Sequence, residues 1–281
     1  MDTKAIPSPI VDVLTVTPQI RKVVFTNPPV NAVSAEAVRR LHTVIDELRT
    51  DEQVRVVIFT SDTDGFFYNH ADLDDIEFFL EADDGNQIPT WLDLVEKLSR
   101  AQFVSIAAIR GRTRGGGSEF TLACDLRYAS SELASFGQIE VGTGLVPGGG
   151  GTDRLARLLG RDRALEVVLS SADYDASTAE RFGWITRALP DAELDTFVDA
   201  LAARISSFDK TAVDTAKEQI NRVTLPDLTS LRTSYRELST LIGQPGFGDR
   251  AAGFGQLIDA VGADEVELNL GHYIGIANQQ N

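Results

Sequence analysis

The sequence predicts an α/β (α+β) fold in which a mixed sheet layered with helices is followed by an all-helical region. Up to about residue 190, short apolar runs typical of buried strands alternate with stretches of helical period. Beyond that point, amphipathic stretches follow one another with no strand-like run between them. With 281 residues, 43% of them hydrophobic, the chain is long and apolar enough to bury a large core.

The predicted elements follow in a regular order along the chain. Ser34 and Asp72 can each cap a helix, because their side-chain oxygens accept from free N–H groups at a helix start. The runs that predict strands are 13–16, 22–25, 54–59, 104–109 and 126–129. The stretches that predict helices are 35–48, 73–79, 91–98, 118–124, 153–159, 164–169, 194–205, 212–223 and 228–241. Segment 243–248 reads as a turn-rich break, and the remainder has no regular period.

The charge and the composition argue against several classes of function. With 26 Lys+Arg against 42 Asp+Glu, the formal net charge of −16 repels nucleic acid and anionic membrane surfaces. Residues 1–9 lack the order of a secretory signal, and no run reaches the ~20 apolar residues of a membrane helix, so a cytoplasmic location is expected. Cys124 is expected to be a small buried core residue, and the histidines lack metal-ligand spacing, so no metal is expected.

A glycine run, 115–117, lies between a predicted strand and a predicted helix. The N–H groups at such a helix start, together with the helix dipole, favour a negative charge. Glu119 follows in the first turn among apolar neighbours, where burial would raise its pKa into the range of a general acid. The alternatives are a tight turn that binds no ligand and a surface glutamate that complements the dipole.

A second glutamate, Glu140, precedes a loop rich in Gly and Pro that ends at Thr152, which can cap the next helix. Two buried glutamates could divide the roles of acid and base. Neither nucleotide-binding motif is met. The Walker lysine is missing after Gly151, and Pro147 stands where the third glycine of the dinucleotide fingerprint belongs.

On these residues the chain resembles the crotonase, or enoyl-CoA hydratase/isomerase, superfamily. Matching blocks lie in the family's order across residues 11–222. They are 27–32, 67–73, 111–119, 123–127, 136–140, 144–155 and 176–187. The resemblance implies a spiral of repeated ββα units over residues 1–200, which carries the active site. It also implies a helical region over 201–281 used for trimerisation, often as a dimer of trimers.

The same resemblance implies an acyl-CoA substrate, with no cofactor other than the coenzyme A that the substrate carries. By position, the N–H groups of Ala71 and Gly116 form the oxyanion hole, and Glu119 and Glu140 match the two glutamates of the hydratase branch. The prediction is therefore an enoyl-CoA hydratase. The alternatives are a double-bond isomerase that uses mainly Glu140, a diketone or thioester hydrolase assisted by His70, and a non-catalytic binding homologue.

Several residues depart from the family pattern. His70 stands where glycine is common, either as a loop side chain or as a pocket group that titrates near neutrality. Arg114 stands where a small or apolar residue is usual, and it could pair with Glu119 or Asp125 or contact an anionic substrate group. Both changes predict a more polar pocket near the thioester. The candidates for contact with coenzyme A are Lys22, Ala32, Asp72 and Lys217.

Overall fold

The computed structural model describes residues 10–80 and 87–279, and the interpretation of residues 1–9 lies outside these ranges. Within them, the chain forms two sheets flanked by helices around a continuous apolar core. The strands are β1 Val11–Thr17, β2 Ile20–Phe25, β3 Val56–Ser61, β4 Phe66–Tyr68, β5 Val104–Ile109, β6 Arg112–Arg114, β7 Leu126–Ser130, β8 Ser135–Gly137, β9 Asp173–Asp175 and β10 Arg187–Leu189.

The two sheets repeat the same connection. The larger sheet has the order β1-β2-β3-β5-β7-β10, and its neighbouring strands are parallel except for β1 and β2. The smaller sheet has the order β4-β6-β8-β9, in which β8 and β9 are antiparallel. The chain passes from the larger to the smaller sheet at β3 to β4, β5 to β6 and β7 to β8, and helices follow each passage. The spiral of ββα units implied by the resemblance is therefore confirmed.

Helices fill the connections and the C-terminal part of the described chain. α1, Ala35–Thr50, is capped as predicted by Ser34, whose Oγ accepts from the Ala37 N–H at 3.2 Å. A 3₁₀ helix, Leu73–Leu80, stands where the sequence predicts the short helix after Asp72. The other α-helices are α2 Thr90–Ser99, α3 Gly116–Ala123, α4 Gly151–Leu159, α5 Arg161–Ser170, α6 Ala176–Phe182, α7 Asp191–Ser206, α8 Lys210–Thr224, α9 Leu228–Ile242, α10 Pro245–Val261, α11 Ala263–Leu268 and α12 Leu270–Gln279.

Aromatic rings join the strands to the helix that follows the glycine run. Phe25 stacks on Tyr68 with ring centroids 4.5 Å apart, and Phe59 meets Phe120 edge-on at 5.1 Å. Such pairs contribute about 0.5 to 1.5 kcal/mol each beyond their buried area. Phe120 follows Glu119 in α3, so this core fixes the helix that carries the first predicted catalytic carboxylate.

The structure differs from the sequence-based expectations in its shortest strands and after residue 243. β4, β6, β8, β9 and β10 have 3 residues each, which is too short for an alternating pattern to show. α9 ends at Ile242 and α10 begins at Pro245, a position where a missing N–H needs no acceptor. The predicted break is therefore present at residues 243 and 244, but residues 245–248 belong to a helix that was not predicted.

α7 packs on one face of the larger sheet. Its buried Leu194, Val198 and Ala202 lie in one cluster with Ile58 and Ile106. The predicted boundary at residue 200 falls inside this helix, and the division of the chain into 1–200 and 201–281 stays a prediction. In the ranges 10–80 and 87–279, no helix has both the length and the apolar composition that crossing a membrane requires.

Candidate active site

The three glycines of the run serve three different purposes. Gly115 has a φ of 50° and donates its N–H to Gly137 O at 3.0 Å. Gly117 passes so close to β4 that a Cβ would lie 1.7 Å from Tyr68 O, which leaves no room for a side chain. Gly116 begins α3 and lines a pocket, and its N–H, the first of the helix, has no intrahelical acceptor.

Val33 holds the backbone on either side of Ala71. The Val33 N–H donates to His70 O at 2.9 Å, and the Asp72 N–H donates to Val33 O at 3.1 Å. Because these bonds use the neighbours of Ala71, the N–H of Ala71 itself points away from Val33. A Cβ built on Gly116 would lie 3.8 Å from Ala71 N. Within the described residues neither the Ala71 nor the Gly116 amide is bonded to another group, and both residues line the pocket.

Glu119 is buried, with 3% of its surface exposed, and backbone amides hold it. Its Oε1 accepts from the N–H of Gly149 at 2.8 Å and from the N–H of Gly151 at 2.9 Å. Trp91 Nε1 lies 3.5 Å from Oε2. Burial raises the pKa of Glu119 to about 7, although these bonds favour the ionised form. The carboxyl group therefore titrates near neutrality in a fixed position.

The glycine-rich loop before α4 passes close to this carboxylate. A Cβ at Gly149 would lie 2.5 Å from Glu119 Oε2, so a side chain there would displace the carboxylate. Gly150 precedes the helix with a φ of 93°, and the helix begins at Gly151. The prediction that Thr152 caps this helix is therefore wrong, because an N–H at the start of α4 is donated to Glu119 instead.

Glu140 follows β8 and lines the same pocket. Gln138 Nε2 donates to both of its carboxylate oxygens, at 2.8 Å and 3.0 Å. Burial, as the larger cause, and the negative charge of Glu119, as the second, raise the pKa of Glu140 to about 8. Near neutral pH the pair can therefore hold one proton, so that one carboxyl group is an acid and the other a base. The sequence analysis missed Gln138, although its position two residues before a candidate catalytic glutamate was a usable signal.

The pocket has a volume of about 260 Å³ and two distinct ends. One end carries the carboxyl groups, His70, Glu267 and the two amides, and the rest of the wall is mainly apolar. The apolar wall comes from the 3₁₀ helix and from α9, α10 and α12, and it includes Leu73, Ile76, Phe79, Leu238, Ile242, Phe247, Phe254, Ile258, Leu270 and Ile274. Half of these residues lie in α10 and α12, which the sequence does not predict.

His70 lies in the pocket wall with both ring nitrogens engaged. Nδ1 is 2.9 Å from Ala71 O, and Nε2 is 3.1 Å from both carboxylate oxygens of Glu267. Burial lowers the pKa of His70, but the hydrogen bond and the negative charge of Glu267 outweigh it, and the pKa lies above its usual value. Glu267 was not predicted, because it lies in the part of the sequence without a regular period.

Arg114 is buried but is not among the described residues that line the pocket, and the prediction that it pairs with Glu119 or Asp125 is wrong. Its Nε and Nη2 lie 2.7 Å and 2.9 Å from the two carboxylate oxygens of Asp173. Strand register explains this pairing, because Arg114 and Asp173 both lie opposite Gly137, which has no side chain to separate them. The more polar pocket predicted from Arg114 is therefore not formed by this residue.

Two of the candidates for coenzyme A contact lie near Ala71. Asp72 follows it directly, and Ala32, which is 8% exposed, precedes the residue that pairs with it. Lys22 lies on β2 with its Nζ 4.0 Å from Asp199, and it does not line the pocket. Contact of these residues with coenzyme A stays a prediction.

Lys217, the fourth candidate, is bonded within the protein. Its Nζ lies 2.7 Å from Asp125 Oδ2 and 2.8 Å from Phe103 O, and 12% of its side chain is exposed. It is not a pocket residue in the described part of the chain. The neighbouring Cys124 is buried, as predicted.

The chain is similar to proteins of a known family. The family model described as enoyl-CoA hydratase/isomerase matches residues 16–242. The short-chain-enoyl-CoA hydratase of Clostridium acetobutylicum is 34% identical over 208 residues, which cover 71% of this chain and 77% of that protein. The range matched by the family model includes the glycine run and the two glutamates.

Solved structures show the same relationship over more of the chain. The structure of a protein from Streptomyces avermitilis that carries the name enoyl-CoA hydratase is 40% identical to this chain. Its TM-score is 0.88, over 96% of this chain and 99% of that one. An enoyl-CoA hydratase from Mycobacterium avium subsp. paratuberculosis is 27% identical, with a TM-score of 0.78 over 89% of this chain and 97% of that one. The chain therefore belongs to the enoyl-CoA hydratase/isomerase family of the crotonase superfamily and is an enzyme of that class.

Proposed function

We propose that the protein adds water to 2-enoyl-CoA thioesters. The observation that carries this proposal is the pair Glu119 and Glu140, two carboxyl groups with raised pKa values, in one pocket with the amides of Ala71 and Gly116. The amides supply an oxyanion hole, and the carboxyl groups supply the acid and the base. The relatives named as enoyl-CoA hydratases support the same reaction.

In the proposed reaction, the thioester oxygen accepts hydrogen bonds from both amides. Glu119 is the base, because its two bonds from backbone N–H groups favour the ionised form. It takes a proton from water while the water oxygen bonds to C3 and the electrons of the C2–C3 double bond form the enolate. Glu140, the protonated partner, then gives its proton to C2 as the thioester carbonyl re-forms. Transfer of the proton from Glu119 to Glu140 restores the starting state.

The acyl chain of the proposed substrate is apolar. The wall beyond the carboxyl groups consists mainly of Leu, Ile and Phe side chains, and each buried CH₂ group of a ligand gains about 0.8 kcal/mol. Arg250 also lines this wall, but its Nε donates to Asn278 Oδ1 at 2.9 Å and its Nη1 to Gly246 O at 3.2 Å. Two of the five N–H donors of its guanidinium are therefore held within the protein.

The geometry gives less support to the other functions considered. A double-bond isomerase needs only one carboxyl group to move a proton. This pocket holds two, and each of them is positioned by a hydrogen-bond donor of its own. A hydrolase assisted by His70 needs a ring nitrogen to activate water, and both nitrogens are engaged. A binding homologue has no use for two carboxyl groups that titrate near neutrality.

The test is a panel of 2-enoyl-CoA thioesters of increasing chain length, with products identified by mass. Hydration adds the mass of water, isomerisation leaves the mass unchanged, and hydrolysis releases free coenzyme A. We also propose that no cofactor is needed beyond the coenzyme A of the substrate, so activity should survive dialysis against a chelator. The proposal fails if no thioester in the panel gains water and none binds.

We further propose a homotrimer or a dimer of trimers, located in the cytoplasm, with subunit contacts made by the C-terminal helices. α8 has no buried residue in this single chain, and its Ile220 and Val223 are 61% and 81% exposed. Apolar side chains exposed to this extent on one helix are typical of a surface that another subunit covers. Light scattering should give three or six times the mass of the chain, and a monomer at all concentrations would contradict this.

A further inference from the structure

A carboxylate from the C-terminal helices contacts the histidine beside the oxyanion hole. Glu267 lies in α11, 197 residues after His70. Both of its carboxylate oxygens lie 3.1 Å from His70 Nε2, and Asn69 Nδ2 donates to Oε2 at 3.1 Å. His70 and Glu267 both line the pocket, so this contact is part of the wall that a substrate would meet.

The other ring nitrogen of His70 contacts the backbone of Ala71. Nδ1 is 2.9 Å from Ala71 O, and it must donate there because a carbonyl oxygen only accepts. A ring that also donates to Glu267 through Nε2 is a protonated imidazolium. Burial raises the pKa of Glu267, but His70 and then Arg114 oppose this, and the pKa lies below its usual value. The contacts therefore run from carboxylate to imidazolium to carbonyl.

These contacts fix the peptide that follows Ala71. Its C=O accepts from His70, and its N–H, which belongs to Asp72, donates to Val33 O at 3.1 Å. The preceding peptide is held at its C=O, since His70 O accepts from the Val33 N–H at 2.9 Å. The N–H of Ala71 is thus the remaining unbonded backbone group of this residue. Because the peptides before and after it are held by hydrogen bonds, the direction of this N–H is fixed.

The backbone of Glu267 is held by contacts that do not involve its side chain. Arg114 Nη1 donates to Glu267 O at 2.7 Å, and Arg112 Nε donates to Leu268 O at 2.7 Å. Arg114 is itself held by the carboxylate of Asp173. Removing the Glu267 carboxylate therefore leaves the segment attached to the core.

The ion pair between His70 and Glu267 is expected to matter more for the oxyanion donor than for the stability of the fold. The side chains of His70 and Glu267 are only 18% and 20% exposed, and the cost of taking two charges out of water offsets much of the attraction in such a largely buried pair. Oxyanion donors, in contrast, act only when they lie within about 2.7 to 3.1 Å of the developing charge. A small error in the direction of the Ala71 N–H therefore affects the reaction more than the fold.

We propose that Glu267 is a positioning residue for the oxyanion hole, which acts through His70 to direct the Ala71 N–H at the thioester oxygen. Because Glu267 belongs to α11, the catalytic end of the pocket is complete only when the C-terminal helices are docked. This inference rests on the proposed function, which assigns the Ala71 N–H to the thioester.

The test compares three variants of the full chain with a short 2-enoyl-CoA substrate. Glu267→Ala should lower kcat by about tenfold and leave KM nearly unchanged. A misdirected oxyanion donor still stabilises the transition state in part, so the loss in kcat is smaller than the loss for a deleted donor. Glu267→Gln keeps an oxygen that accepts from His70 and should recover most of kcat. Arg112→Ala removes a contact to the same segment without touching His70, so kcat should stay near the wild-type value even if the melting temperature falls.

A second measurement does not need turnover. A 3-oxoacyl-CoA thioester forms an enolate whose ultraviolet absorbance rises when an oxyanion hole stabilises it. Glu267→Ala should weaken binding of this enolate by about the same factor as kcat, and Arg112→Ala should not.

Each outcome decides the inference. Unchanged kcat and enolate binding in Glu267→Ala overturn it, and so do equal losses in Glu267→Ala and Arg112→Ala, which would indicate a role in stability alone. If the wild-type protein binds the enolate but hydrates no substrate, the proposed function is wrong and the binding data still decide the role of Glu267. A wild-type protein that binds no CoA thioester overturns both.

Discussion

The catalytic end of the pocket depends on backbone groups, whereas the acyl end depends on side chains. At the catalytic end, amides at Gly149 and Gly151 hold Glu119, and Gly117 has no room for a Cβ. At the acyl end, no neighbouring atom of the described residues lies within 4 Å of the place where a Cβ on Gly255 in α10 would lie. In the proposed function, the chemistry therefore depends on positions with little tolerance for change, and the fit of the acyl chain on positions such as Gly255 with more.

The largest effect is expected at the carboxyl pair. Glu119→Gln or Glu140→Gln should lower kcat by about 10²- to 10⁴-fold, because an amide neither takes nor gives the proton. The double variant should be little slower than the slower single variant, since the two groups act as a unit. Steady-state hydration kinetics measure both effects. Glu166→Gln, at an exposed position of α5, is the control and should keep the wild-type rate.

The next largest effect is expected when a glycine at each end of the pocket is replaced by alanine, which adds one methyl group. Gly117→Ala should destabilise the protein by about 3 kcal/mol or more, because its Cβ would overlap Tyr68 O. Gly255→Ala should be neutral or stabilise by up to about 1 kcal/mol, since alanine favours a helix interior. Chemical denaturation of both variants measures the difference. Equal free energies of unfolding for the two variants would remove the distinction between the ends.

The pH dependence should belong to the catalytic end alone. In the proposed reaction Glu119 must be ionised to act as the base, so kcat/KM should fall below about pH 7, and Glu140 must be protonated to act as the acid, so kcat/KM should fall above about pH 8. Outside these limits the rate should change by about tenfold per pH unit. In Glu119→Gln the pKa of Glu140 should drop but stay above its ordinary value, because burial still raises it and only the charge of Glu119 is gone. A flat profile from pH 6 to pH 9 would contradict the assignment.

The same pKa shifts predict a direction for stability. Both carboxyl groups have higher pKa values in the folded protein than their ordinary value of 4.5, so the native state binds these protons more tightly. Their contribution to stability is complete below about pH 4.5 and is lost as the pH rises through about 7 to 8. Unfolding measured in Glu119→Gln and in the wild type should show a smaller loss over this interval in the variant.

The smallest effect is expected at the acyl end. Phe254→Ala enlarges the apolar wall, and the kcat/KM ratio of longer to shorter substrates should rise by about tenfold, which corresponds to about one or two methylene contacts. The pH profile should stay as in the wild type, because the Phe254 side chain is uncharged and is neither a donor nor an acceptor for the two carboxyl groups. A change in the pH limits without a change in chain-length preference would show that the two ends are not independent.

Much of the core could be predicted because long apolar runs leave few alternatives. The strand at 104–109 was predicted with its observed bounds, since all six residues are buried. The glycine run and the two glutamates also fell together in one pocket, as the resemblance implies. Local pattern is enough at such positions because neighbouring residues share one environment.

The partners of polar side chains could not be predicted in the same way. Arg114 meets Asp173 because two strand pairings place them on either side of Gly137, and register is not visible in the sequence. Glu267 reaches His70 from a helix whose Gly-containing surroundings hide its period. Long-range contacts of this kind depend on how elements pack, which no short window of residues records.

A carboxylate held by main-chain amides has a consequence for how such a protein can diverge. The donors at 149 and 151 are main-chain groups, and a Cβ at either position would lie within 3.0 Å of the Glu119 carboxylate, so both positions require glycine. Changes at other positions leave both N–H groups in place as long as the loop keeps its path. Descendants of such a chain can therefore accumulate changes in the surrounding walls and acquire new substrates while inheriting the placement of the proton-transfer group intact.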